Sequence, residues 1–286
     1  MFEKIKQKVK HRSYSHRLQD KLETVLHNLE RPRSVIFYTT HKCASTFAQR
    51  LFEVMARNAN YELVDYAGAI WGAGDRLSKI ETPYEIFLER AYSELYSLNG
   101  KIYAPQREYL DFPGRHKFRH IFFLRDPRDV LVSAYYSFAF THAEPSRSLD
   151  RDDFLAQRSK MQQQGIDDYV LEQAEQWILP FYRNYQKLRD TADDYLYVKY
   201  SLFINDTAKF IQQIADYCDL NPSTSDINFL VQEASPVQTT EKKKSHKRSG
   251  KTGQYLEKLR PETVDKLNEI LADVLRDWEF ETEKES

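Results

Sequence analysis

Two places in the chain pass straight from an apolar run into a helical pattern, and they restrict the fold more than any other feature. The first is "VIFYTTHKCASTFAQRLFEVM" at residues 35–55, and the second is "HIFFLRDPRDVLVSAYYSF" at residues 120–138. A short continuous apolar run bounded in this way fits a strand covered on both faces, and such strands belong to parallel sheets. "YELVDY", "GKIYAP" and "DYLYVKY" supply further strands. Between them lie helical patterns: "STFAQRLFEVMARNA", "YEIFLERAYSELYSL", "PRDVLVSAYYSFAF", a long one over roughly 167–189, "DTAKFIQQIADYCDL" and "PETVDKLNEILADVLRDW". Strands alternating with helices predict an α/β fold with a central parallel sheet flanked by helices on both faces. "GAIWGAGDRLSKIETP" reads as a glycine-containing loop, and residues 141–165 as a polar, irregular, mobile surface segment. No Pro/Gly/Ser-rich linker divides the chain, so residues 31–286 are expected to form one domain behind a helical extension over 1–30.

Composition excludes several classes. The 42 basic and 43 acidic residues balance to a net charge of −1, which argues against a general nucleic-acid binder. Two cysteines make no disulfide framework, no Cys/His spacing suggests zinc, and a reducing, cytoplasmic setting is expected. No apolar stretch reaches the roughly 18–20 residues of a membrane span. "MFEKIKQKVKHRSYSH" carries charges throughout and lacks the apolar region of a signal peptide.

The two strand-to-helix junctions are also the chemical candidates. In a parallel sheet, ligands sit beyond the C-terminal ends of the strands, where helix N-termini present unpaired N–H groups and a partial positive charge. The first junction offers Lys42, small residues including Ala44, and the hydroxyls of Ser45 and Thr46. It holds no glycine, so it is not the GxxxxGK[ST] loop of nucleotide kinases. It reads either as an anion cradle or as a plain helix start with a solvated lysine. At the second junction Asp126 is a suitable N-cap and Pro127 suits the first helical position. There Arg125 with Ser133 suits a phosphate monoester. The alternative is an Arg125 paired with Asp126 or Asp129. A third segment, "EKKKSHKRSGKTGQYLEKL", holds six basic residues from Lys242 to Lys251, with Gly250 and Gly253 among them. It reads as a solvated loop or as a backbone wrapped close to a ligand.

In this order the three segments resemble the cofactor-binding regions of sulfotransferases that use 3′-phosphoadenosine-5′-phosphosulfate (PAPS). The carrying residues are Lys42, Ser45, Thr46 and Phe47, then Arg125 and Ser133 eight residues on, then Arg248, Ser249, Gly250, Gly253 and Tyr255 of "RSGKTGQY". Tyr200, ending "YLYVKY", is a weaker match, because Ser201-Leu202 follows where an acidic pair is common. The likeness spans about residues 34–275 and implies a P-loop-like sulfotransferase fold. It implies that Lys42, Ala44, Ser45 and Thr46 hold the 5′-phosphosulfate and that Arg125, Ser133, Arg248, Ser249 and Gly250 hold the 3′-phosphate. Phe47 would flank the adenine and Tyr200 would contact the cofactor. It requires no metal. A small-molecule kinase using ATP and a non-catalytic phosphoadenosine-binding module are the rival readings.

The proton acceptor is where the resemblance breaks. A segment like "KTHLP" carries the family's histidine, and "KIYAP" here keeps Lys101 and Pro105 but has Tyr103 in the histidine's place. An ordinary phenol, with a pKa near ~10, is a poor base at neutrality. Lys101 is expected to help place the sulfuryl group, Tyr103 to serve on the acceptor side, and Asp65, Glu108 or His41 to act as base, with Asp65 favoured. Tyr66, Trp71, Tyr103, Glu108, Tyr136 and Phe140 are expected to line the pocket of a small-molecule acceptor, with segments 66–80, 103–112 and 136–175 forming it. Acidic residues nearby leave room for a cationic acceptor, and O- and N-sulfation stay open.

Overall fold

A computed structural model describes residues 2–77, 79–80, 84–145, 148–234 and 250–280. Its centre is a five-stranded, all-parallel sheet in the order β2-β3-β1-β4-β5. The strands are β1 (Val35–Thr39), β2 (Glu62–Val64), β3 (Lys101–Gln106), β4 (Arg119–Leu124) and β5 (Tyr195–Lys199). Both faces are covered, as the unbroken apolar runs require. Val35, Phe37, Ile102, Ala104, Ile121 and Phe123 point into one core, and Ile36, Tyr38, Tyr103, Phe122 and Leu124 into the other.

The first helix, α1 (Phe2–Leu29), precedes the sheet. Helix α2 (Ser45–Met55) follows β1 and packs Ala48, Leu51 and Phe52 into the core that holds Phe37. Helix α3 (Tyr66–Ala73) follows β2, and two short helices, α4 (Glu85–Arg90) and α5 (Tyr92–Leu95), lead to β3. Helix α6 (Pro127–Tyr136) follows β4 and buries Val130 and Leu131 in the opposite core, with Tyr38. Thus β1 and β4 are neighbours whose helices leave to opposite faces. That divergence opens a crevice at their C-terminal ends, the usual ligand position in such sheets.

Past α6 the chain departs from the sequence expectation. Residues 141–165 are not irregular: Ser148–Gln164 form a helix, α7. Its half-buried Phe154, Arg158 and Met161 recur at helical spacing and anchor it, while most of its other side chains face solvent. So narrow a stripe escapes a search for amphipathic periodicity. "GAIWGAGDRL" is likewise helical through α3 and a short 3₁₀ turn, Gly74–Leu77. The long helix expected near 167–189 is α8 (Ile166–Gln173) and α9 (Leu179–Asp190), joined by the π-turn Ala174–Ile178. A second π-turn, Ser137–Thr141, extends α6. Tyr200 does not end β5 but starts helix α10 (Tyr200–Asn205). Among the described residues no helix is long and apolar enough to cross a membrane.

Candidate active site

The loop between β1 and α2 has an unusual backbone. Lys42 (φ 65°) and Ala44 (φ 48°) both adopt left-handed conformations, although neither is glycine. Each costs roughly 1–2 kcal/mol, and such strain concentrates at functional sites. The loop is held from below: Thr39 and Thr40 are buried, and the buried Cys43 thiol donates to the Phe123 carbonyl at 3.4 Å. Burial pushes that thiol up to about 12, so it stays protonated and structural. Ala44, at the N-cap of α2, supplies no side-chain cap. The first amides of the helix are therefore not closed off by their own N-cap. Thr46 faces solvent, and the Ser45 hydroxyl accepts from Arg107 at 3.1 Å. Lys42 Nζ lies 3.0 Å from Ser137 Oγ, on the π-turn after α6.

Arg125, at the end of β4, joins these parts. It is 3 % exposed. One terminal nitrogen donates to the Lys42 carbonyl at 3.1 Å and the other to the Lys251 carbonyl at 3.0 Å, and the guanidinium lies 4.7 Å over the Tyr200 ring. A single side chain thus touches the first loop, the third basic segment and α10. A guanidinium has five N–H donors. Arg125 Nε is buried and has no hydrogen-bond partner among the described residues. Asp129, wholly buried one turn on, accepts from the backbone N–H of Gly253 (2.8 Å) and Tyr255 (3.2 Å) and lies 3.9 Å from Arg125. Burial, its largest influence, raises the Asp129 carboxyl above the usual range against the pull of Arg125. Arg128 pairs with Asp126, donates to Asn268 at 2.6 Å, and stacks 4.1 Å from the Tyr255 ring. The start of α6 therefore fastens residues 251–255 over the strand ends. Asp126 and Pro127 hold the N-cap and first positions that the sequence assigns them. Gly250 sits where a Cβ would come 3.1 Å from the Tyr200 hydroxyl, tighter than ordinary contact. Ser133 is half-buried on α6. Arg248 and Ser249 lie outside the described residues.

Two buried tyrosines of α9 that sequence reasoning missed brace the same edge. Tyr182 donates to the Arg125 carbonyl, and Tyr185 lies within hydrogen-bonding distance of the Thr39 (3.0 Å) and Gln106 (3.2 Å) carbonyls. Their three-residue spacing in "LPFYRNYQKL" was the available signal.

Several assignments need correction. Lys101 begins β3, opposite Glu62, and forms an ion pair with it. It therefore stands at the wrong end of a six-residue strand, roughly 15 Å from the crevice at about 3.3 Å per residue. Tyr103 is mid-strand and 2 % exposed; its hydroxyl accepts from Ser97 N (2.6 Å) and faces the Leu95 carbonyl (3.3 Å). Burial pushes this phenol upward, away from any role as a base. The residues that reach the crevice from this strand are Gln106, Arg107 and Glu108, because β3 continues through Pro105. Asp65 caps α3, accepting from Gly68 N at 2.8 Å. Tyr66 packs against Tyr96 and Tyr103 with its hydroxyl on the Leu95 carbonyl. Phe47 packs 4.8 Å from Phe203, at the edge of the α2 core.

Beside the first loop lies a cavity of about 280 Å³, lined by His41, Phe138, Phe154, Arg158, Met161 and Trp177 among others. Trp71 and Phe140, about half exposed, and Tyr136 are not among its lining residues. Most of the lining, from Phe138 to Trp177, comes from residues 138–177. A π-turn inserts an extra residue per turn and rotates the following side chains, here presenting Phe138 to the cavity. Its lining contains no carboxylate, so the room left for a cationic acceptor finds no support there. His41 Nε2 is 3.9 Å from Glu108 Oε1, and Tyr84 donates to the same oxygen at 3.3 Å.

The Sulfotransferase domain family matches residues 32–279. Among solved structures, the fold is similar to mouse sulfotransferase SULT7A1 complexed with PAP, at 13% identity and TM-score 0.55, covering 86% of this chain and 84% of that one. It is also similar to retinol dehydratase in complex with androsterone and the inactive cofactor PAP, at 14% identity and TM-score 0.55, covering 88% and 83%. Retinol dehydratase with retinol and PAP gives 14% identity and TM-score 0.54, covering 88% and 84%. No curated protein matches the sequence.

Proposed function

The chain belongs to the sulfotransferase family, and from that premise we propose that it moves a sulfuryl group from PAPS to a hydroxyl or amine nitrogen of a small-molecule acceptor. The observation that carries this reading is the position of Arg125. It touches the first loop, the third segment and Tyr200 at once, and keeps a buried Nε without a partner among the described residues. An elongated ligand with a phosphate group near each strand end would meet that donor and the first amides of α2 together. The residues therefore fit a doubly phosphorylated nucleotide. The glycine-free first loop favours it over a nucleoside triphosphate with magnesium.

In this reading Lys42, Ala44, Ser45, Thr46 and the start of α2 hold the 5′ end. Arg125, Ser133 and Gly250 hold the 3′-phosphate, while a part for Arg248 and Ser249 rests on the motif alone. Tyr200 supports Arg125 from beneath, and Phe47 flanks the adenine. PAPS, when bound, supplies the activated sulfuryl group. Lys42 keeps a fixed positive charge where negative charge develops on the leaving oxygen, as in phosphoryl transfer. Ser137 and Arg107 orient Lys42 and Ser45 through the contacts described above.

Calorimetry with PAP and with adenosine 5′-phosphate tests the assignment. Charge-assisted hydrogen bonds contribute about 1.5–3 kcal/mol, so PAP should bind about 10–100-fold tighter. Arg125→Ala should remove most of that difference. Equal affinities in the wild-type protein would overturn the reading.

A further inference from the structure

Tyr103 is buried mid-strand and Asp65 is engaged as an N-cap, which turns attention to His41 and Glu108 for the proton that the reaction releases. A cavity lies beside the first loop, close to Lys42. Its walls include His41 and Phe138, each one residue away from the Lys42–Ser137 contact. A molecule filling it would thus place its end against the group proposed to hold the leaving oxygen. Phe154, Met161 and Trp177 form the apolar part of the wall, and Gln157, Gln173 and Tyr169 add polar groups. Arg158 also borders it, but its guanidinium is fixed by the Phe138 carbonyl (2.9 Å) and the His142 carbonyl (2.5 Å) and lies 4.6 Å from the Phe154 ring. Of the wall residues, His41 combines a ring nitrogen that can accept a proton with a carboxylate behind it. Its ring is held edge-on between Phe138 and Trp177, each 6.3 Å away, with Glu108 behind Nε2 at 3.9 Å and Tyr84 fixing Glu108. A ring braced on two sides and backed by a carboxylate is the arrangement of an oriented base. Separations somewhat beyond hydrogen-bond length are normal before ligands bind.

Building on the proposed sulfuryl transfer, we infer that His41 takes the proton of the acceptor hydroxyl in this cavity and that Glu108 is its positioning residue. The acceptor's O–H bond breaks and its proton passes to the imidazole. The acceptor oxygen forms the new O–S bond, and the electron pair of the broken S–O bond leaves on the phosphate oxygen beside Lys42.

The test uses the full chain, with 4-nitrophenol as an acidic phenol and 4-methylphenol as a weakly acidic one. PAP calorimetry comes first, because failure there sinks the sulfotransferase reading itself rather than this inference. Titrating either phenol without cofactor should quench Trp177 fluorescence, and Trp177→Phe should abolish the signal. Unchanged fluorescence would exclude the cavity. His41→Gln should keep PAP and phenol affinity but lower kcat about 10²-fold with 4-methylphenol. The loss should be markedly smaller with 4-nitrophenol, which surrenders its proton more readily. Glu108→Gln should lower kcat less, with phenol affinity unchanged, and Glu108→Asp should restore part of it. Equal losses with both phenols, or full activity in His41→Gln, would overturn the assignment.

Discussion

The crevice has two sides made in different ways. The anion side is built on strand ends: β1 and β4 deliver Lys42 and Arg125, and the groups around them are bound to backbone atoms. Arg125 rests on two carbonyls, Asp129 on two amides, and the tyrosines of α9 on the last carbonyls of β1 and β3 and on the carbonyl just after β4. The cavity side, where we propose the acceptor binds, is built from helices and two π-turns, and its contacts are mostly ring edges, such as Trp177 and Phe138 against His41. A site fixed to the sheet keeps its geometry whatever fills the other half. A wall of packed side chains can be recut by single substitutions without disturbing the sheet. The physical division is between strand ends held by backbone hydrogen bonds and a helical wall held by side-chain packing.

The largest expected effect tests whether the anion side does chemistry or only binds. Lys42→Ala should lower kcat about 10²–10³-fold, the usual loss when a charge-stabilising group is removed. PAP affinity should fall far less, and the fold should persist, because Lys42 is half-buried at the loop tip. A mutant that loses PAP binding and turnover in equal measure would make Lys42 a binding residue only.

The next effect tests whether the backbone anchors matter. Asp129→Asn replaces one acceptor facing Gly253 N or Tyr255 N with a donor. That misplaced amide should cost about 1–3 kcal/mol, lowering Tm by a few degrees and PAP affinity about tenfold through residues 250–255. The pH dependence has a definite sign. Because burial raises the carboxyl in the fold, the folded state holds its proton more tightly than the unfolded one. Wild type therefore loses stability relative to Asp129→Asn as pH rises through the raised pKa. Melting curves of the two proteins across acidic pH would show a constant gap if Asp129 were not so perturbed.

The same division explains what the sequence could disclose. Strand ends announce themselves: "HIFFLRDP" carries the apolar run, the arginine, the N-cap and the N1 proline within eight residues, and the physics of each is local. The register of Arg125 to Ser133 is fixed by helix geometry, so spacing alone reveals it. What hid was long-range or irregular. Whether Tyr103 or Glu108 reaches the crevice depends on how far β3 runs past Pro105, which pairing with β1 decides, not the segment itself. Lys101 matched a motif by spacing, but pairing with Glu62 put it at the other end of the strand. The cavity wall stayed illegible because α7 has only a three-residue anchor, and because π-turns leave no compositional mark. Asp65, which follows β2, takes the capping role that a helix start offers any aspartate, and a cap and a base are the same residue type in sequence.

The smallest expected effect bears most directly on whether the two sides are independent. Trp177 is half-buried, lines the cavity and meets His41 edge-on. Trp177→Ala enlarges the cavity without touching a strand end or any residue placed around the phosphates. Lost apolar contact with a small aromatic acceptor should raise its KM about tenfold, in the range that a hydrophobic pocket can discriminate. Bulkier acceptors should lose less or gain, since the vacated space can take them. PAP affinity should stay within about twofold of wild type, because Arg125, Asp129 and the first loop keep their backbone contacts. A parallel fall in PAP affinity, with Tm unchanged, would mean that the helical wall also sets the geometry of the anion side. The β1–α2 loop would then be the natural link, since it carries His41 and Lys42 side by side and a displaced imidazole would drag the strained backbone at Lys42 with it.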